Sequence, residues 1–180
     1  MNKKLKFITE TGVLLALLIA LQWATKPLGQ LVTGSFVNCI LAVAVLFAGL
    51  PGGITVAVIS PVLAYLLGIA PQILTVPAIM AGNCVYVLCL RFLCKKKLFQ
   101  RIAGLLAAAA AKFLTLYGIV GGLICGVFAQ SLLNSGVLKL PMLTALPATF
   151  SFPQLITALI GGTVALLIVP TLKKALRKPE

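Results

Sequence analysis

The sequence lacks histidine and aspartate altogether, and its two acidic residues are Glu10 and Glu180. No acid therefore lies deep in an apolar segment, where pumps and proton-coupled carriers usually place the groups of a proton relay. The same absences leave no Ser/His/Asp triad, Cys/His pair or metal-ligand set, so we expect no enzyme, no cofactor and no metal site. The sequence also has no GxxxxGK[ST] loop, which excludes the usual way of binding and hydrolysing ATP.

Charged residues are scarce, at 9% of the 180 residues, whereas 61% are hydrophobic. The mean hydropathy of +1.17 is too high for a soluble domain, which has no way to bury so large an apolar fraction. The net charge of +13 often indicates nucleic acid binding, but here the basic residues fall in short clusters between apolar runs. This distribution is typical of a membrane protein, and we expect the lipid bilayer, not nucleic acid, as its surroundings.

Five cysteines lie within or at the ends of the apolar runs, at positions 39, 84, 89, 94 and 125. They show no CxxC spacing, so we interpret them as small packing residues and not as disulfide or metal partners. The N-terminal lysines and the apolar run after them are similar to a signal peptide, but no A-x-A cleavage site follows Ala20. We therefore interpret this run as a membrane span.

Six apolar segments of spanning or near-spanning length follow one another along the chain. Their approximate ranges are 7–25, 35–50, 54–69, 73–93, 102–122 and 153–172. Between them we predict a loop over 28–34, a tight turn at Pro51-Gly52-Gly53 and a polar loop over 130–152. We also predict an interruption of the third segment at Ser60-Pro61 and its end at 70–72. The sequence thus predicts an all-α integral membrane protein with one polytopic domain, residues 1–180.

The basic residues are distributed unequally between the two sides of the predicted bundle. With the N-terminus inside, twelve lie on the inner side and two, Lys26 and Lys139, lie outside. The inner ones are Lys3, Lys4, Lys6, Arg91, Lys95, Lys96, Lys97, Arg101, Lys173, Lys174, Arg177 and Lys178. By the positive-inside rule, this asymmetry predicts six spans in the cell membrane with both termini in the cytoplasm.

Small residues recur at every fourth position of the first segment, at Gly12, Ala16, Ala20 and Ala24. Residues four apart lie on one face of a helix, so these four form a shallow ridge among bulky neighbours. Close approach through small residues is what makes helices associate in lipid, where apolar side chains gain nothing by leaving the bilayer. The ridge is therefore a candidate docking surface for another helix.

Lys112 is the one basic residue near the middle of a predicted span, eleven residues after Arg101 and so about 16 Å along the helix. A lysine at such depth either snorkels or meets water, pairs with a carboxylate, or binds an anionic ligand. Glu10 is the only membrane-proximal carboxylate, and it lies near the inner end of the first segment. The sequence leaves open whether Lys112 is snorkelling or solvated, or binds an anion.

Several polar side chains lie in the outer halves of the predicted spans. These are Asn38, Asn83 and Tyr86, and Gln154 with Thr157. They indicate either a cavity open to the outside or hydrogen bonds between helices. Aromatic residues near the same interface are interpreted as anchors in the headgroup region or, alternatively, as stacking surfaces for a flat ligand. They are Trp23, Phe36, Tyr65, Tyr117, Phe150 and Phe152.

Size, six predicted spans, inner termini and basic bias together resemble the substrate-binding S components of energy-coupling factor (ECF) vitamin transporters. The AxxxA motif of that family corresponds to Ala16-Leu-Leu-Ile-Ala20 here, and Val32–Asn38, Ser60-Pro61 and Val76–Asn83 are also similar. The resemblance implies a six-helix bundle that binds a vitamin or related micronutrient from outside and topples in the membrane to release it inside.

The resemblance further implies partners and sites. The AxxxA motif docks S components onto a transmembrane coupling protein, which two ATPase subunits drive, so Ala16, Ala20 and Gly12 are the expected docking residues. Family sites lie near the outer face, which makes Asn38, Asn83, Tyr86, Lys112 and Gln154 the expected substrate-binding residues. Two other functions are considered: a self-sufficient small-molecule carrier or facilitator, and a membrane scaffold that transports nothing.

Overall fold

The computed structural model describes residues 2–69, 72–95 and 97–176. In these ranges the chain forms eight α-helices and no β-strand. Two π-helical segments, Ala44–Ala48 and Gly118–Val127, continue α2 and α5. The helices are α1 (Lys3–Thr25), α2 (Gln30–Val43), α3 (Gly49–Leu66), α4 (Val76–Leu93), α5 (Leu98–Tyr117), α6 (Ala129–Asn134), α7 (Met142–Thr149) and α8 (Phe152–Leu176). The predicted all-helical class is confirmed.

Five helical runs among the described residues are long and apolar enough to cross a membrane, against six segments predicted. They are Lys4–Leu28, Gln30–Leu66, Ile73–Leu93, Leu98–Val127 and Met142–Leu176. The second run has 37 residues and contains both α2 and α3. A straight helix of that length measures about 55 Å, far more than the hydrocarbon core of about 30 Å. The hydrogen bonds near the two ends of this run show that it is not one straight helix.

The run folds back on itself as a helical hairpin. Thr33, near the start of α2, donates its hydroxyl to the Thr25 carbonyl at 2.8 Å, while Lys26 donates to the carbonyl of Gly68, just after α3, at 2.7 Å. The beginning of α2 and the end of α3 therefore both lie beside the end of α1. The break is at Gly49, whose φ of 86° favours glycine. We call the end of the bundle where α1 and α3 finish the Thr25 end.

Three local predictions in this region are wrong. Residues 30–34 were expected in a loop, but α2 already begins at Gln30. Pro51-Gly52-Gly53 forms no turn and lies in the first turns of α3, because proline is tolerated there and the two glycines fit closely against Ala48 and Val45. Ser60-Pro61 does not interrupt α3, which continues to Leu66.

Other segment ends also differ from the predictions. The third apolar segment is predicted to end at residues 70–72, of which 70 and 71 lie outside the described residues. The chain turns before them at Gly68, whose φ is 67°. The predicted loop over 130–152 contains the short helices α6 and α7. The apolar stretch after α5 stays helical as a π-helical segment to Val127.

The core lies where α2 and α8 pack side by side and where α4 and α5 meet. Gly161 of α8 faces the backbone of α2: a Cβ atom there would lie 2.6 Å from the Cys39 amide nitrogen and 2.8 Å from Asn38 Cβ. Only glycine permits this approach, which is the small-residue packing expected between helices in lipid. It holds α2 and α8 close enough for polar side chains to reach across.

Candidate functional site: a buried lysine cluster

Lys112 lies on the inward face of α5, directly after a run of five alanines, and its exposed fraction is only 2%. Ala108 and Ala109 are fully buried in the same helix, so α5 packs closely against its neighbours at this level. The side chain therefore points into the bundle, where it is held by neighbouring helices and not exposed at the surface.

Two asparagine side chains hold the Lys112 ammonium. Its Nζ donates to Asn38 Oδ1 of α2 at 2.6 Å and to Asn83 Oδ1 of α4 at 2.7 Å. Nζ also lies 5.4 Å from the centroid of the Tyr86 ring, within the range of about 6 Å for a cation–π interaction. Three of the five predicted substrate-binding residues thus surround another of them, Lys112.

The cluster continues from Asn38 to α8. Asn38 Nδ2 donates to the Thr157 hydroxyl at 3.1 Å, and Thr157 in turn donates to the Gln154 carbonyl at 3.2 Å. The Tyr86 hydroxyl donates to the Ala158 carbonyl at 2.8 Å. The structure therefore joins Asn38, Asn83, Tyr86 and Lys112 directly, whereas Gln154 connects to them only through Thr157. We call Asn38, Asn83, Tyr86, Lys112 and Thr157 the lysine cluster.

Sequence reasoning missed two parts of this arrangement. Thr157 was noted as a neighbour of Gln154 but not as a site residue, although a hydroxyl one turn further along the same helix face was a usable signal. The Ala158 carbonyl that binds Tyr86 has no sequence signal at all. Of the two interpretations of these polar side chains, the structure shows hydrogen bonds between helices, and Asn38 and Asn83 are each only 1% exposed.

The charge of Lys112 has no acidic partner among the described residues. Their only carboxylate side chain, Glu10, lies 3.7 Å from Lys6 within α1. A buried ammonium without a counter-charge carries an effective penalty of several kcal/mol, which neutral amide oxygens offset only in part. The hydrogen-bond partners of Lys112 are therefore all neutral in the described part of the chain.

A pocket of about 440 Å³ is formed between the second half of α5 and the α7–α8 turn. It lies at the Thr25 end of the bundle, because α8 starts beside the start of α2, where Gly34 faces Thr157. It is lined by Phe113, Tyr117, Pro147, Ala148, Ser151 and Phe152, and we call it the aromatic pocket. The Phe113 ring stacks on Tyr117 and on Phe152, with centroids 5.9 Å and 5.8 Å apart. Its volume falls in the range of small-molecule sites, and aromatic faces suit a flat ligand.

Hydrogen bonds connect the wall of the aromatic pocket to the lysine cluster. The backbone N–H of Gln154 donates to the Ser151 carbonyl at 3.0 Å, and the Gln154 side-chain Nε2 donates to the Thr149 carbonyl at 3.4 Å. Thr157 bonds to Gln154 and Asn38 bonds to Thr157, so a continuous series of hydrogen bonds joins the α7–α8 turn to a partner of Lys112. The predicted interface residues Tyr117 and Phe152 belong to this pocket, whereas Phe150 is buried.

A second pocket, of about 550 Å³, runs along α1 and α3. Its lining is almost entirely apolar and consists of Gly12, Leu15, Ala16, Ile19, Ala20, Trp23, Leu63 and Leu67. The whole predicted ridge of small residues, Ala24 included, is exposed. We call this surface the ridge groove. The ridge therefore does not serve to pack α1 within the bundle and remains free for another helix.

The five cysteines are free thiols. No three His, Cys, Asp or Glu side chains come together to hold a metal ion anywhere in the described ranges. Cys94, at the end of α4, donates to the Arg101 carbonyl at 3.6 Å, and burial raises the pKa of its thiol. A raised thiol pKa keeps the reactive thiolate rare at neutral pH, in agreement with a packing role.

Comparison with known proteins gives one result. The family model described as "ECF transporter, substrate-specific component" matches residues 6–173. No curated protein and no solved structure matches the chain.

Proposed function

Because this chain belongs to the family of substrate-specific components of ECF transporters, we propose that it captures a vitamin or related micronutrient outside the cell for import. Members of this family are transporter subunits, not enzymes, and work with a membrane coupling protein and ATPases. The chain has no phosphate-binding loop of its own, which supports an energy supply from partner subunits. We infer two ATPase subunits and one coupling protein as its partners.

We place the substrate site at the lysine cluster and the aromatic pocket. The observation that carries this assignment is the buried Lys112 ammonium, held by two neutral amides and lacking a counter-charge. In a membrane helix such a group is costly and marks a functional site. An anionic group on the substrate supplies the missing charge, while the aromatic pocket accommodates the rest of the molecule.

We assign the ridge groove to the coupling protein. Ala16 and Ala20 lie at the centre of the groove, with Gly12 at one end, and all three are exposed. A helix of the partner seated there approaches the α1 backbone closely, because methyl groups and hydrogen keep the groove shallow. The apolar lining fits an occupant that is itself embedded in the membrane.

We also propose six spans with both termini in the cytoplasm of a multi-pass cell-membrane protein. The hairpin of α2 and α3 supports this count, because it divides the 37-residue run into two crossing helices. With that division, the basic residues at the C-terminus of α4, the N-terminus of α5 and the C-terminus of α8 all lie on the inner side. The Thr25 end is then the outer end, which places the aromatic pocket outside.

Replacement of Ala16 and Ala20 by leucine tests the docking assignment. The two leucines fill the groove, so we expect the affinity-tagged chain to lose co-purification of the coupling protein and ATPases, and uptake to be abolished. Binding of the substrate by the purified chain stays unchanged, because neither alanine contacts the lysine cluster. The measurement is mass spectrometry of proteins and small molecules retained by the tagged chain in gently extracted membranes.

The chain offers a matched control for this experiment. Ala103 and Ala107 of α5 have the same spacing, are also exposed and lie outside the ridge groove. Their replacement by leucine is expected to leave partner retention and uptake intact. If the Ala16/Ala20 variant retains its partners as well as the control does, the docking assignment is wrong.

The two other functions predict different behaviour. A self-sufficient carrier accumulates or exchanges substrate in liposomes without ATP and partners, whereas a substrate-specific component shows binding alone. A scaffold retains no small molecule, and its outer polar residues can be changed freely. The buried, uncompensated Lys112 argues against the scaffold, since a purely structural bundle has no need of it.

A further inference from the structure

The side-chain nitrogen of Asn83 is an orphan donor in the lysine cluster. Asn83 is 1% exposed, its Oδ1 accepts from Lys112, and its buried Nδ2 has no hydrogen-bond partner. By contrast, Asn38 uses both ends of its carboxamide, since its Nδ2 reaches Thr157. A buried amide nitrogen without a partner destabilises the folded state, because it has lost its hydrogen bonds to water. Asn83 therefore carries a free donor next to the Lys112 ammonium.

Lys112 has donor capacity left as well. An ammonium carries three N–H groups, and two are used by Asn38 and Asn83. The Tyr86 ring centroid lies 5.4 Å from Nζ, too far for a conventional hydrogen bond, so the third N–H has no hydrogen-bond partner among the described residues. The cluster thus presents one unused donor on Lys112 and the free amide of Asn83.

These donors are close enough for one small group to bind both. Lys112 Nζ lies 2.7 Å from Asn83 Oδ1, and the two ends of a carboxamide are about 2.2 Å apart from standard bond lengths. The two nitrogens are therefore at most about 5 Å apart. The oxygens of a carboxylate bridge such a pair with hydrogen bonds of about 2.8 Å.

We propose that Lys112 Nζ and Asn83 Nδ2 together form a cradle for the carboxylate of a monoanionic substrate, an inference that rests on the function proposed above. One buried positive charge is neutralised by one carboxylate, whereas a phosphate dianion leaves an excess negative charge in the bundle. The substrate class is therefore a carboxylic acid, with Asn83 as the residue that selects it over the corresponding amide.

The first test measures the thermal midpoint of the purified full-length chain with the smallest matched probes. Sodium acetate is compared with acetamide plus sodium chloride at equal ionic strength, and with sodium phosphate. At about 100 mM we expect acetate to raise the midpoint by about 2–4 °C over the other two conditions. Equal midpoints in acetate and acetamide overturn the proposal, and stabilisation by phosphate alone overturns the carboxylate class.

The second test supplies the carboxylate within the chain. Asn83→Asp places an anion beside Lys112 and removes the orphan nitrogen, so we expect a higher midpoint than for Asn83→Ala and no response to acetate. Asn134→Asp makes the same change at an exposed position and is expected to keep the acetate response. A midpoint of Asn83→Asp at or below that of Asn83→Ala overturns the need for a counter-charge. An acetate response that persists in Asn83→Asp places the anion elsewhere.

The outcomes separate this inference from the proposed function. Partner retention depends on the ridge groove on α1 and α3, which contains no residue of the lysine cluster. A chain that retains its partners through Ala16 and Ala20 but ignores acetate remains a substrate-specific component without a carboxylate cradle. A chain that responds to acetate but retains no partners has the cradle without the proposed transport role.

Discussion

At the scale of single residues, Lys112 combines two properties that rarely occur together, deep burial and the absence of a negatively charged partner among the described residues. It is buried among helices, yet its hydrogen-bond partners are neutral amides that stabilise an ammonium without neutralising it. A salt bridge to an aspartate would satisfy the apo protein and leave nothing for a ligand. Under the proposed function, these neutral partners leave the ammonium available to an anionic group of the substrate.

Lys112→Met removes the charge while keeping a side chain of similar length. We expect the affinity for the small molecule that co-purifies with the wild-type chain to fall at least about tenfold, or about 1.4 kcal/mol, because the anionic group loses its cation. Mass spectrometry identifies the molecule, and calorimetry then gives the dissociation constants. Lys139→Met, at an exposed position, is the charge-matched control. An affinity within twofold of the wild type would make Lys112 structural.

At the scale of helices, the sequence was sufficient to predict that apolar segments become helices, but not where the hairpin turns. Pro51-Gly52-Gly53 carries strong turn signals, yet a helix tolerates proline in its first turn, and the positive φ falls on Gly49. The assembly of the lysine cluster was equally beyond prediction from the sequence. Its residues are recognisable singly as polar groups in apolar segments, but Asn38 and Lys112 are 74 positions apart and meet only through helix packing.

Gly161→Ala tests whether the approach of α2 to α8 positions the cluster. The added Cβ collides with the α2 backbone near Asn38, so the helices must separate. Overpacking of this kind costs about 1–3 kcal/mol, and we expect the thermal midpoint to fall by several degrees. Substrate affinity falls too, because Asn38 moves away from Lys112.

The control for this change is Gly118→Ala, where an added Cβ meets nothing within 4 Å and φ is −61°. We expect it to alter neither the thermal midpoint, measured by thermal melting, nor the substrate affinity, measured by calorimetry. If Gly161→Ala lowers the midpoint but leaves affinity unchanged, the close approach supports the fold without positioning the site.

At the scale of the whole molecule, the two candidate sites lie on different parts of the bundle. The ridge groove belongs to α1 and α3, whereas the lysine cluster is built from α2, α4, α5 and α8. In the proposed function, partner docking and substrate capture therefore use separate surfaces. The hydrogen bond from Thr33 of α2 to Thr25 of α1 connects the helix of the ridge groove to the helix that carries Asn38.

The membrane topology decides whether this division of surfaces works for import, because the aromatic pocket must face outward. In a cysteine-free background, we expect Lys139→Cys to react with a membrane-impermeant maleimide in intact cells. Asn2→Cys and Lys174→Cys are expected to react only after the membrane is opened, since six spans place both ends inside. Five spans would instead put these two positions on opposite sides. Such a result would mean that the α2–α3 hairpin does not cross the bilayer twice, and the outward assignment of the Thr25 end would lose its basis.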